Sequence, residues 1–395
     1  MAPRHLQVRV RRDQASAFMS ALPLDGIRVL DFTTLLPGPL ATLMLADAGA
    51  AVVKVEAPKG GDRGRLNTPR DGSESPQFAQ LNRGKKSVAV DLKSAEGKAA
   101  ILRLAAAADV LVEQFRPGVM TRLGLGYEAV RALNPRIIYC SITGYGQTGP
   151  LANVAGHDIN YIARSGMLAL SVGLDGVPVI PQGAMADIGG GSMPALINIL
   201  LALYRRRDSG EGCFLDIAMS ENTLGWMARA MAPAVLGLPV PPANEGRHTG
   251  GSPRYGIYLA RDGTALAVAA LEPHFWTRFC ELIGLAPEAR NDEADPQGVK
   301  RAVKAAIASQ DGAHWLAKFK GEDVCVDIIQ DVAQALRDPH YAARGVWSRK
   351  LKLNNGRTLP ALPVPIMRDM VDAEERGYPA LGAHSVDDAN LWQRT

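Results

Sequence analysis

The chain has 395 residues, 44 of them Lys or Arg and 40 Asp or Glu, for a formal charge of +4. That balance excludes a strongly basic nucleic-acid binder and leaves room for a small anionic ligand. A charged fraction of 21% against 47% hydrophobic residues excludes a disordered chain, and the length suits two domains or one large α/β unit with a satellite.

Residues 1–21 carry Arg4, Arg9, Arg11 and Arg12 without an apolar stretch. They read as a solvated basic tail, with a mitochondrial-type presequence as the alternative. The fold is expected to begin near Leu24. Gly26 to Thr33 reads as a buried parallel strand, Leu40 to Asp47 as a helix closed by Gly49, and Ala51 to Glu56 as the next strand. Residues 57–86, rich in Gly, Pro and basic side chains, read as one long binding loop. Strands then alternate with helices: strand Ser87–Leu92, helix Ser94–Ala107, strand Asp109–Phe115, a helix after Pro117, and strand Arg136–Ile142. Such alternation predicts a mostly parallel, Rossmann-like sheet with its ligands beyond the strands' carboxyl ends. Phe32–Pro37, Glu56–Lys59 and Gln114–Arg116 fall at that edge.

Further on, a long helix is expected over Gly191–Arg207 and a strand over Phe214–Met219. Residues 235–254 read as a linker, and Tyr255 to Leu271 as a hairpin turning at Asp262-Gly263. Helices follow at 273–284, 297–309 and 311–319. The expected division is a large α/β domain over 22–224, a linker and smaller α+β domain over 225–330, and a segment over 331–395 that returns to the first domain. The longest helix-like apolar run, Ala195 to Tyr204, is about half of the ~20 residues a membrane span needs. No membrane or nucleic-acid partner is expected. The four cysteines lie 45 to 73 residues apart with no CxxC, so neither a zinc site nor a disulfide scaffold is expected. Reduced thiols and a cytoplasmic location are the default.

Familiar catalytic signatures are missing. There is no G-x-G-x-x-G after the first strand, no P-loop, no G-x-S-x-G and no H-E-x-x-H. Three other segments carry residues able to do chemistry. In Gly156-His157-Asp158-Ile159-Asn160-Tyr161 an imidazole stands where a Gly-rich loop enters a helix. In Ala186-Asp187-Ile188-Gly189-Gly190-Gly191-Ser192 a carboxylate precedes three glycines and a helix, whose free N–H groups suit an anion or a developing oxyanion. Glu272, before Pro273, ends an apolar strand. Each has a plainer reading: His157 as a surface or structural histidine, Asp187 as a helix cap, Glu272 as a helix-start residue.

Taken together the segments resemble the family III CoA-transferase superfamily (the CaiB/BaiF type), and within it the racemases of α-methylacyl-CoA thioesters. The resemblance covers roughly residues 22–350. The general features are Leu24 to Leu30, Asn82-Arg-Gly-Lys-Lys-Ser87, Asp109 to Gly118 and Asp338-Pro-His-Tyr-Ala-Ala-Arg344; the racemase features are the three segments above. It implies that His157 and Asp187 exchange roles as acid and base across the carbon next to a thioester carbonyl, with Glu272 orienting His157. N–H groups near Asp158 and Asp187 would then hold the enolate oxygen. It also implies CoA contacts at Arg116 and Arg122, with the adenine on Ala89, Val90, Asp91 and Leu92. Where such racemases commonly carry an arginine before the proline after the second strand, this chain has Ala57, so Lys54, Lys59 or Lys85 are the expected substitutes. No cofactor beyond the CoA moiety of the substrate is implied, and the implied assembly is an interlocked homodimer. Ile159, Met185, Ile188 and Met193 are the expected acyl-pocket lining. The competing reading is a CoA-transferase in which Asp187 attacks the thioester; a non-catalytic CoA-binding protein is a third.

Overall fold

The computed structural model describes residues 22–173 and 175–394. The expected basic tail lies outside the described residues. Two units emerge among them: one formed by 22–161, 183–223 and 345–394, the other by 162–182 and 224–344. The second unit therefore also takes 162–182, which were expected in the large domain. The return begins at Gly345 and not at 331.

The first unit is built on six parallel strands, β1 (Arg28–Phe32), β2 (Ala51–Glu56), β3 (Lys86–Ala89), β4 (Val110–Glu113), β5 (Ile138–Thr143) and β6 (Cys213–Ala218), in the order β3-β2-β1-β4-β5-β6. Strands β2, β4 and β5 are buried at every residue, as a parallel sheet covered on both faces requires. Order reverses between β1 and β4. The carboxyl ends of these two strands therefore diverge and leave the crevice in which such sheets bind ligands.

Helix α1 (Pro37–Asp47) is buried along its whole length. It starts at Pro37, three residues earlier than expected, because proline at the first helical position sacrifices no hydrogen bond. The expected long loop 57–86 is not structureless. It holds a 3-10 turn, Arg63–Leu66, and helix α2 (Pro76–Asn82), capped by the Ser75 hydroxyl and again opened by a proline. Loop-like composition concealed a short helix with a standard start signal. Helix α3 (Ala95–Ala107), capped by Ser94, lies where the sequence places it. The short helices α4 (Val119–Arg122) and α5 (Tyr127–Leu133) link β4 to β5, and α6 (Asp158–Ser165) follows the Gly-rich loop.

The glycine triplet precedes a helix as expected, but it is not a loop. Met185–Ser192 is itself a π-helical segment that runs directly into α7 (Met193–Ser209). The combined 25-residue helix is longer than the expected apolar run and passes a length and hydropathy test for a membrane span, although half of its most apolar window is buried within the protein. That burial is also what the core helix of a globular domain shows. Helix α8 (Met219–Leu224) follows β6, and α9 (Ala228–Val235) leads into an irregular stretch over 236–254.

In the second unit, β7 (Tyr255–Leu259) and β8 (Ala265–Ala269) form the expected hairpin, with Gly263 at φ +82° in its turn. Strand β9 (Val326–Ile328) extends it to three antiparallel strands. Helices α10 (Pro273–Leu282), α11 (Pro296–Ile307) and α12 (Gly312–Phe319) bury Trp276, Phe279, Val303 and Trp315 in one core with Tyr258 and Val268. After the short helices α13 (Val332–Ala335) and α14 (Pro339–Ala343), the chain returns as a second hairpin, β10 (Lys350–Lys352) and β11 (Thr358–Pro360). Leu351, Leu353 and Ala361 of this return pack with Phe78 and Ala79 of α2.

Candidate active site

A cavity of about 460 Å³ opens at the crevice predicted by the sheet order. Leu35 and Pro37 line it after β1, Gln114 to Pro117 after β4, and Thr143 to Tyr145 after β5. His157, Asn160 and Tyr161 come from the start of α6, and Asp187 from the π-helical segment. Two of the three expected edge segments thus meet there. The third does not. Glu56 is buried and held by Arg65 (2.7 Å), the Ser87 hydroxyl (2.6 Å) and the Asp62 N–H (2.9 Å).

Tyr161 anchors the His157 segment. Its hydroxyl donates to the Gly156 carbonyl, and its ring packs edge-on against Tyr145 with centroids 5.2 Å apart. A Cβ on Gly144 or Gly156 would lie 2.3 or 2.7 Å from that ring, so both glycines are dictated by the tyrosine between them. The His157 imidazole is left exposed on the cavity wall. Its own N–H donates to the Asn160 side chain at 3.0 Å, which starts the helix without using the ring.

Asp187 is not a helix cap. It stands within the first turn of the π-helical segment, a helix form that recurs at functional sites. The glycines that follow it serve close packing. A Cβ on Gly190 would lie 2.3 Å from the Met219 carbonyl oxygen, and one on Gly191 would meet Met219 and Pro37 at 3.1 to 3.2 Å. Ser192 Oγ donates to Pro37 O at 2.7 Å and ties the segment to the start of α1. The N–H groups of Ala186 and Asp187 do not face an oxyanion. Both donate to Asp158 Oδ1, at 2.6 and 2.9 Å. Of the N–H groups near Asp158 and Asp187 that were expected to face an oxyanion, those of Ala186 and Asp187 are therefore already paired, while the Asp158 N–H, in the first turn of α6, has no acceptor within that helix. Burial, reinforced by the neighbouring Asp158 charge and only partly offset by His157, pushes the Asp187 carboxyl up to about 6. An acid poised there exchanges protons readily near neutrality.

The expected cation substitutes separate by burial. Lys85 is fully buried, and its Nζ donates to Asp31 (3.0 Å), Pro39 O (3.0 Å), Thr42 Oγ1 (2.8 Å) and Asn82 Oδ1 (3.0 Å). No capacity remains for a phosphate. Lys54 is equally buried, bonded to Thr33 O at 2.6 Å and paired with Asp62 at 2.9 Å. Lys59 is exposed but does not line the cavity; Arg116 lines it and is an exposed residue. Arg122 is exposed and lies outside the cavity lining. Ala89, Val90 and Asp91 line a different hollow with residues 384–387, while Leu92 packs on the main core. The apolar lining is also different from that expected: Leu35, Phe115, Ile142 and Met219, with Ile188 and Met193 turned into the core beside α1. Glu272 is carried by the second unit at the N-cap position of α10, where its side chain makes no capping bond. Its backbone starts the helix, with the Glu272 carbonyl accepting from Trp276 N at 3.0 Å, as the plainer reading expected, while its carboxylate takes no part in the cap.

Sequence reasoning placed Leu35 and Gln114 at the ligand edge but missed what they do there: Leu35 adopts φ +63° on the cavity rim, and Gln114 accepts the Gly38 N–H at 3.0 Å. It also missed the side-chain bridge from Asp158 to the Asp187 turn, whose one local trace is an acidic residue in the first turn of a helix. Among the described residues no group of three or more His, Cys, Asp or Glu side chains is placed to hold a metal ion.

The model of CoA-transferase family III matches residues 24–385. The mouse α-methylacyl-CoA racemase is 35% identical over 92% of this chain and 92% of its own. The acetyl-CoA:oxalate CoA-transferase of Acetobacter aceti is also 35% identical, over 91% of this chain and 93% of its own. Among solved structures, a CAIB/BAIF family protein from Brucella suis superposes with a TM-score of 0.78 at 29% identity, covering 92% of this chain and 98% of that one. Racemase and transferase relatives thus stand at equal identity.

Proposed function

The chain belongs to CoA-transferase family III, and from that premise we propose that it inverts the α-carbon of a 2-methylacyl-CoA thioester by two-base proton transfer. The observation that carries this reading is the placement of the His157 imidazole and the Asp187 carboxyl on the wall of one cavity. A thioester carbonyl acidifies the adjacent carbon. One group takes the α-proton, the pair of electrons moves onto the carbonyl oxygen as an enolate, and the other group returns a proton to the opposite face. Starting from the other enantiomer the roles reverse. A carboxyl pushed up to about 6 beside an imidazole makes both directions accessible near neutral pH.

The Asp158 N–H is the proposed donor to the enolate oxygen. Arg116, an exposed cation on the rim, is the proposed contact for the CoA phosphates. Glu272 enters the proposal through the family resemblance alone, and Glu272→Gln tests it by the loss of kcat. A homodimer is part of the same proposal: α7 exposes Ile197, Leu201 and Tyr204, each more than half exposed in the single chain, an apolar face of the kind a second subunit covers.

A transferase would use Asp187 as the nucleophile that forms a mixed anhydride with the acyl group, and would need no imidazole at position 157. Incubating a 2-methylacyl-CoA in D₂O without an acceptor acid separates the two. The isomerase exchanges the α-proton for deuterium and loses stereochemical purity. Ping-pong transfer between two acids, with no α-deuteration, would replace the isomerase reading by the transferase one.

A further inference from the structure

We propose that Asp158 is the positioning residue that fastens the His157 segment to the Asp187 turn. Its Oδ1 accepts both the Ala186 N–H at 2.6 Å and the Asp187 N–H at 2.9 Å. These are N–H groups of the first π-helical turn, which has no side-chain cap of its own. The carboxylate thus supplies from another element the cap this turn lacks, and its negative charge suits a helix start. Because Asp158 directly follows His157, one residue ties both proposed proton carriers to a single bridge. The other end of that bridge is rigid: the His157 carbonyl accepts from Asn160 N at 2.8 Å, and Tyr161 is wedged against Gly144 and Gly156.

The inference rests on the proposed roles of His157 and Asp187, and it holds whether Asp187 moves a proton or attacks a thioester. The charged and titratable groups around the Asp187 turn are few. From the α6 segment come His157, Asp158 and the Tyr161 phenol, and Arg116 lies on the same cavity. Of the elements packed against the turn, α1 carries only Asp47, held by Arg83 and Arg349, β6 carries Asp216, which accepts from Gln147 N, and α8, whose Asn222 donates to Gly190 O, carries the exposed Glu221. On α7 the charged residues fall in the last turns, over 205–208.

The test compares the full-length protein with Asp158→Asn and Asp158→Ala. Asparagine keeps an acceptor oxygen and removes the charge; alanine removes both. With 2-methylbutanoyl-CoA in D₂O, Asp158→Ala is expected to lower kcat for α-deuteration about 100-fold, the scale of a small misplacement of reacting groups, with KM little changed. Asp158→Asn is expected to recover most of that loss and to move the acidic limb of the pH profile to lower pH. A second readout needs no turnover: the carboxyl carbon of Asp187, followed by NMR in protein labelled at aspartate, should titrate at lower pH in Asp158→Asn than in the native protein. Unchanged kcat in Asp158→Ala would overturn the proposal whatever the Asp187 titration shows. Absence of deuteration in the native protein would sink the isomerase reading instead; the two variants would then be compared on CoA transfer between two acids, where the same order, alanine well below asparagine, is expected.

Discussion

Lys85 Nζ lies 3.0 Å from Asp31 Oδ2, and both side chains are fully buried beneath the start of α1. Burial alone would push the Asp31 carboxyl up. Lys85 and Lys54, with the hydroxyls of Thr33 and Thr42, overcome it and hold the group well below the usual carboxylate range. The pair therefore belongs to the architecture under the cavity and not to ligand binding.

Removing one partner leaves the other charge buried and alone. Lys85→Met should destabilise the protein by about 3–5 kcal/mol, read as a lower urea midpoint, with CoA-ester affinity of the remaining folded protein unchanged. Lys59→Ala, at an exposed side chain, should stay within about 0.5 kcal/mol of the native protein. Because the Asp31 carboxyl is held low when folded, its contribution is present at neutral pH and is lost as pH falls through its folded value.

Glu113 behaves in the opposite sense. It ends β4, is buried, and accepts the Phe115 N–H at 2.7 Å. Burial pushes its carboxyl from 4.5 up to about 7, against the hydrogen bonds from Ser141 and Phe115. The folded state then binds more protons than the unfolded one between these values, so this group's contribution to stability declines as pH rises through that window. Glu113→Gln should be more stable than the native protein at pH 8 by at most about 3 kcal/mol, and the difference should vanish near pH 4. Paired thermal melts across that range check it.

Gly190→Ala tests the packing behind Asp187. The new Cβ would lie 2.3 Å from the Met219 carbonyl oxygen, a backbone atom that cannot turn aside. An overpacking cost of about 1–3 kcal/mol is expected, together with a fall in kcat because the π-helical turn that carries Asp187 must shift. Gly225→Ala, with nothing near its Cβ position, is the control.

Arg116→Ala should raise KM for CoA esters while leaving kcat within a few-fold, since a phosphate contact remote from the reacting carbon stabilises ground and transition states alike. The KM effect should shrink with added salt, because the guanidinium is exposed. An unchanged KM at low salt would remove Arg116 from the proposed CoA contacts.

Much of this molecule is legible in its residues. Short, mostly apolar runs separated by helical stretches specify the parallel strands, because a strand covered on both faces is built largely from apolar side chains. The Asp262-Gly263 turn and the proline opening α10 were readable for the same local reasons. Which side chains meet was not readable. Lys85 and Arg116 are both basic residues beside strands, yet one is sealed among four acceptors and the other stands in solvent. Burial is a property of the neighbours a residue acquires, and for Lys85 three of the four acceptors lie more than forty residues away in the chain. The same holds at the site. Local sequence marked His157 and Asp187 as able to carry protons; the 28-residue connection from Asp158 to the amide of Ala186, which puts them on one wall, exists only once the chain has closed on itself.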